Sequence, residues 1–185
     1  MRKISKDSFD EQLVTAAKAG DKIAYGRLVK LHQSSLRGFL RKLTKQDFAL
    51  ADDLAQDAFM QGYRQIESFK QQSSFRTWIS SIAYNRFLQY LRKNKRRKEL
   101  IDSTVNIEEP LNNSSQDIQI DVERALNHLR LEERTAILLN HSQGMSHKEI
   151  AIIMHMPLGT VKSHITRGRE TLKSLLSNHK PKGLV

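Results

Sequence analysis

SHKEIAIIMHMPLGTVKSHITRGRE, residues 146–170, contains two short helix-like stretches hinged at a Pro and a Gly. Ser146 followed by Glu149 is a capping box, and Gly144 just before it ends a preceding helix that begins near Glu132 and carries Ile137, Leu138 and Leu139. Ile150, Ile153 and Met154 bury one side of the first stretch, His155 and Met156 turn the chain, and Pro157 is pre-set for the first turn of the next helix. In that helix Val161, Ile165, Gly168 and Leu172 recur at helical spacing and face the core. This is helix-turn-helix grammar. The remaining face, Lys162, Ser163, Thr166, Arg167 and Arg169, suits a major groove, where Arg or Lys reads guanine edges and Ser or Thr meets bases or phosphates. A plain solvated face is the competing reading. It explains the charges but not the agreement of cap, hinge and core seam.

Working outward, the chain of 185 residues has room for one large domain or two small ones. Its net charge of +11 points to a polyanionic partner. The charge is uneven. Residues 1–98 hold 21 Lys and Arg against 9 Asp and Glu, residues 99–123 hold none against 7, and residues 124–185 hold 10 against 4. The acidic stretch contains Pro110 followed by Asn and Ser and has no sustained amphipathic period until about Ile118, so it reads as a flexible linker. The fold expected is all-α: two small helical domains, 8–98 and 118–177, joined by an acidic linker, 99–117, with the helix-turn-helix in the second. Without cysteine there is neither a disulfide framework nor a thiolate metal site. No long apolar run or secretory signal is visible, which places the protein in the cytoplasm.

In the front block, Ile23, Ala24, Tyr25, Leu28, Val29, Leu31 and Leu36 recur at helical spacing after Gly20-Asp21. A second helix over 48–66 has Leu50, Leu54, Ala58, Phe59 and Tyr63 on one face, and Asp52, Asp53, Gln56 and Asp57 on the other. Those aspartates read equally as helix-start chemistry and as a docking face. A third helix carries a core seam of Phe75, Trp78, Ile79, Ile82, Ala83 and Phe87, with Tyr84, Asn85 and Tyr90 off it, and ends in RKNKRRK, residues 92–98. Cations beside unburied aromatics suit single-stranded nucleic acid, cations tracking phosphates and rings stacking on bases. Phe69, in the polar loop IESFKQQSS, either folds back onto the domain or walls a pocket.

DDLAQDAF (52–59), SFRTWISSIAYN (74–85) and EERTAILLNHSQGMSHKEIAIIMHMPLGTVKSHITRGRETL (132–172) together resemble the extracytoplasmic-function group of bacterial sigma factors, with their sigma regions 2 and 4. The resemblance spans nearly the whole chain. It implies a non-catalytic factor that binds core RNA polymerase, directs it to particular promoters and helps melt them. By this resemblance Asp52, Asp53, Gln56 and Asp57 dock on the polymerase clamp helices. Phe69 and Asn85 match positions that capture a flipped minus-ten base, and Trp78, Arg92, Lys93 and Arg96 are grouped with them. Lys162, Ser163, Thr166 and Arg167 match the minus-thirty-five readers. Promoter DNA and core polymerase are the implied partners, together with an anti-sigma factor; no cofactor or metal is expected. Gln89 stands where the group often has Asp, Leu131 where Pro commonly opens a helix, and Gly168 where Ala is usual.

An enzyme acting on nucleic acid is the alternative of a different class. The chain lacks a Walker loop, an HExxH motif and a carboxylate cluster for two metals, and His141, His147, His155 and His164 are irregularly spaced. A stand-alone helix-turn-helix regulator is the other alternative.

Overall fold

The computed structural model describes residues 6–102 and 118–177. Among them are eight α-helices: α1 (Lys6–Lys18), α2 (Lys22–Leu43), α3 (Phe48–Gln65), α4 (Phe75–Asp102), α5 (Ile118–His128), α6 (Leu131–Ile137), α7 (His147–Met154) and α8 (Leu158–Ser177). A 3-10 turn, Ile66–Ser68, follows α3, and a π-helical turn, Leu138–Ser142, extends α6. The all-helical expectation holds across these residues. The rest of the expected linker, 103–117, lies outside them, and its first four residues, 99–102, are still helical as the end of α4.

Local chemistry sets most helix ends. The Asp21 carboxylate accepts from Ile23 and Ala24 N–H at 2.8 and 3.0 Å, and Asp47 does the same for Leu50 at 3.0 Å. Ser74 Oγ caps α4 by accepting from Thr77 N–H at 3.1 Å. At α7 both halves of the capping box form: Ser146 Oγ accepts from Glu149 N–H, and the Glu149 carboxylate accepts from Ser146 N–H at 2.9 Å. Gly144, at φ +64°, takes the left-handed turn that releases the chain from the π-helical turn. His155 ends α7 at φ 53°, ψ 44°, a conformation that glycine adopts at least cost.

The first module packs α1, α2 and α3 around α4. Leu28, Leu36, Phe39, Leu40, Ala58, Phe75, Ile79 and Phe87 are fully or nearly fully buried there. Ile23 and Leu31, expected on the core face of α2, are instead 71% and 41% exposed, and Tyr63 of α3 is 43% exposed. The buried line of α2 runs through Ala24, Tyr25, Leu28 and His32, so the core-facing stripe is rotated from the one the apolar run suggested. In the second module Ile150, Ile153, Met154, Val161 and Ile165 form the core, as the helix-turn-helix reading required. Gly168 lies against α6, where an added Cβ would approach Ile137 Cδ1 to 2.5 Å, which accounts for glycine where Ala would favour the helix.

The two modules share one apolar core cluster and a polar seam. Helix α7 lies along α4. Tyr84, expected off the core, is buried because the second module covers it. Its hydroxyl is hydrogen-bonded to Thr135; burial pushes the phenol pKa up, Glu132 adds to the rise, and that hydrogen bond opposes it. The buried Arg134 guanidinium donates to the Leu43 carbonyl at 2.9 Å, capping the carboxyl end of α2 with a cation from the other module.

Gly62 marks the tightest helix approach in the first module: an added Cβ would lie 2.7 Å from Tyr25 Oη and 2.8 Å from Ile79 Cδ1. Tyr25 Oη cannot retreat freely, because it donates to the Phe59 carbonyl at 2.6 Å. Gly62→Ala gains up to about 1 kcal/mol of helix propensity but overpacks the contact, at a cost of about 1–3 kcal/mol. Urea unfolding is expected to show a net loss of stability, against the gain that an exposed helical Gly→Ala change gives.

Candidate nucleic-acid interface

Helix α8 is held by its apolar seam so that Lys162, Ser163, Thr166 and Arg167 stand on one fully exposed face. Arg169, at its edge, donates to Asn140 Oδ1 at 3.1 Å and His141 Nε2 at 3.2 Å, so it braces α8 against the preceding turn rather than projecting with the other four. The free face is therefore narrower by one cation than the sequence suggested. It has the width and chemistry of a groove-reading helix.

On α3, Asp53, Gln56 and Asp57 are exposed along one stripe that continues into Met60. Asp52 differs from them. Half-buried, it is approached by Arg37 Nε at 3.7 Å and Arg41 Nη2 at 3.3 Å, and Arg41 also lies over the Phe48 ring. Asp52 thus fastens α3 to α2, and the exposed acidic stripe consists of the other three residues.

The third surface is a groove of about 440 Å³ between α3, α4 and α7, lined by Gln61, Gln65, Ser73, Trp78, Ser81, Ile82, Asn85, Gln89, Arg92, Ile152 and His155 among others. Trp78, read as core, is half-buried and lines this groove. Phe69 folds back: it is 5% exposed, and its ring stacks on Trp78 with centroids 4.5 Å apart and planes 20° apart. In this arrangement Phe69 backs the Trp78 ring, and it also lines a separate cavity of about 300 Å³ with Asp10, Glu11, Val14 and the segment 71–75. Lys93 and Arg96 are exposed further along α4, continuing the cationic track from Arg92. Gln61, Gln65, Ser73, Ser81 and His155 were not singled out from sequence as groove residues. Gln61 and Gln65 carry the only signal for it, a pair of amides four apart on the side of α3 away from its core.

His155 closes the groove from the second module. Asn85 Nδ2 lies 3.0 Å and Ser81 Oγ 3.2 Å from His155 Nε2; an amide nitrogen can only donate, so Nε2 accepts. No group of His, Cys, Asp and Glu that could hold a metal ion occurs among the described residues.

Comparison with known proteins decides what these surfaces belong to. A family model described as Sigma-70 region 2 matches residues 28–97, and one described as Sigma-70, region 4 matches 119–172. The chain is 33% identical over 181 residues to the RNA polymerase sigma-H factor of Pseudomonas aeruginosa, covering 90% of this chain and 93% of that one. It is 32% identical to the ECF RNA polymerase sigma-E factor of Haemophilus influenzae, covering 89% and 94%. The chain belongs to the extracytoplasmic-function sigma factors. As such it directs RNA polymerase in transcription initiation and is not an enzyme. Among solved structures, it resembles the sigma factor RpoE of Bartonella quintana, in complex with the anti-sigma factor NepR, at TM-score 0.70 and 30% identity over 84% of this chain and 98% of that one. It also resembles CnrH in complex with the cytosolic domain of CnrY, at TM-score 0.71 and 25% identity over 93% and 99%.

In this sigma factor the capping box of α7 also joins the modules. Thr77 Oγ1 donates to Glu149 Oε1 at 3.1 Å. Partial burial acts to raise the Glu149 pKa, but hydrogen bonds from Ser146 N–H and hydroxyl and from Thr77, with the nearby Arg76 guanidinium, outweigh it and leave the carboxyl below its ordinary value. A depressed folded-state pKa contributes stability that is present above the unfolded value of 4.5 and fades as pH falls through the folded one. Thermal unfolding of wild type and Glu149→Gln as a function of pH is expected to show a lower Tm for the variant at neutral pH and convergence of the two as pH falls through the acid range and the carboxyl is protonated in both states.

Proposed function

We propose that the first module docks on core polymerase through Asp53, Gln56 and Asp57 and holds the melted minus-ten strand in the Asn85 groove, while α8 reads the minus-thirty-five element with Lys162, Ser163, Thr166 and Arg167. The observation that carries this reading is the groove. It combines the Trp78 ring with a wall of neutral amides and hydroxyls, Gln61, Gln65, Ser73, Ser81 and Asn85, and extends to the α4 cation Arg92. An extruded base needs a hydrophobic wall, hydrogen-bond partners for its edge and cations for its backbone. Phe69 supports that wall from behind. Asp52 belongs to the docking helix but is spent on Arg37 and Arg41, so its role there is to hold the helix in place.

An anti-sigma factor is part of this proposal, supported by the similar sigma factor RpoE having been solved with the anti-sigma factor NepR. Residence in the cytoplasm is also part of it: no helix among the described residues is long and apolar enough to cross a membrane, and polymerase and promoter are found there. A stand-alone regulator has no use for the strand-holding groove, so the polymerase-dependent reading is the better supported.

Run-off transcription with sigma-free core polymerase on a genomic promoter library tests the whole reading, the expected result being initiation at defined sites sharing an upstream and a downstream element. No initiation at any site overturns it. Arg167→Ala is expected to weaken recognition at one upstream position by about 10- to 100-fold, the worth of one bidentate base contact. Asp53→Arg is expected to lose polymerase binding in a pull-down while keeping its circular dichroism. Wild-type transcription by both variants would refute the residue assignments.

A further inference from the structure

We infer that Asn140 and Arg169 are positioning residues for minus-thirty-five recognition: through one shared hydrogen-bond network they fix the angle at which α8 presents Lys162, Ser163, Thr166 and Arg167. This role rests on the reading proposed above for α8. Arg169 stands on an exposed stretch of that helix, yet its guanidinium is committed. Nη2 donates to Asn140 Oδ1 at 3.1 Å and Nε to His141 Nε2 at 3.2 Å, so one planar fork bridges two neighbouring residues of the π-helical turn.

Asn140 is the hub. Its amide nitrogen donates to the Met145 carbonyl at 3.0 Å, which leaves Oδ1 turned toward Arg169. A reversed amide would set its oxygen against that carbonyl and its NH2 against the guanidinium, so the two contacts enforce one orientation. Met145 is buried and directly precedes Ser146, the cap of α7. The network therefore ties the π-helical turn to both the entry of α7 and the flank of α8. Gly168 brings the helices close enough for this: α8 lies so near α6 that an added Cβ would stand 2.5 Å from Ile137 Cδ1. Apolar packing at Gly168 is non-directional and sets mainly the separation of the helices. Hydrogen bonds from the very next residue are directional and set the rotation and tilt.

A small tilt is enough to matter. Lys162 lies seven residues from Arg169, about 10 Å along the axis at about 1.5 Å per residue, so a tilt of about 10° at the brace carries it about 2 Å. Side chains that read a partner need placement to within about 0.5 Å. Direct contact of Arg169 with a phosphate is the rival role, and it leaves a different trace. A phosphate contact strengthens binding to every sequence alike and adds about 0.9 to the slope of log K against log salt. A positioning residue changes discrimination between sequences and leaves the slope alone.

The test measures binding of holoenzyme, assembled from core polymerase and the full chain, to two fluorescein-labelled duplexes. One is a promoter recovered by run-off transcription, the other the same promoter with its upstream element scrambled. Arg169→Lys, at an exposed helical position, keeps the charge and the fold but loses the fork; Asn140→Ala removes the hub. Each is expected to lower the ratio of affinities for the two duplexes about fivefold, the equivalent of one or two hydrogen bonds, with an unchanged salt slope. The double variant is expected to lose no more than either single one, because both break the same network. A wild-type ratio in Arg169→Lys overturns the positioning role. So does Arg169→Ala if it weakens both duplexes equally and lowers the slope by about 0.9. Arg167→Ala separates this role from the reading of α8. If it lowers the ratio while Arg169→Lys and Asn140→Ala do not, only the brace falls; if it too leaves the ratio unchanged, α8 is not the reader, and the brace falls with that assignment.

Discussion

Helix α4 is a wall shared by two neighbours, and the division of its surface governs everything else in the molecule. Phe75, Ile79, Ile82, Ala83 and Phe87 face the first module's core; Thr77, Ser81 and Tyr84 face the second module; Asn85 and Arg92 border the groove. At 100° per residue a helix of 28 residues, about 42 Å long, has room for all three stripes. Because they share one rigid rod, the groove's shape depends on whether the second stripe is occupied. The first module alone fixes only two sides of it.

This arrangement explains which parts of the fold were legible in the sequence. The helix-turn-helix was readable because its determinants are local: the Ser146–Glu149 box, the turn at His155 and the Val161–Ile165 seam each involve residues within a few positions of one another. Tyr84 was misread for the opposite reason. Its hydrogen-bond partner Thr135 and the nearby charge of Glu132 lie some fifty residues away, and no periodicity within α4 can announce them. The same holds for Asp52, whose charge is taken up by Arg37 and Arg41 on α2, and for Arg169, taken up by Asn140 and His141. Residue types on a helical face gave the candidate surfaces; partners distant in sequence decided which members of each face were free.

Charge follows a similar logic. A net charge of +11 serves attraction to phosphate at long range but says little about which cation does what. Arg134 is buried and spent on the α2 carboxyl end, where burial lowers its pKa without removing its charge, since guanidinium remains protonated under any ordinary condition. Arg76 is spent on Gln143. Arg92, Lys93, Arg96, Lys162 and Arg167 are exposed, and they lie on the two surfaces proposed to meet DNA. The sequence total therefore overstates the cations available to a polyanion, while their placement sharpens where it would bind.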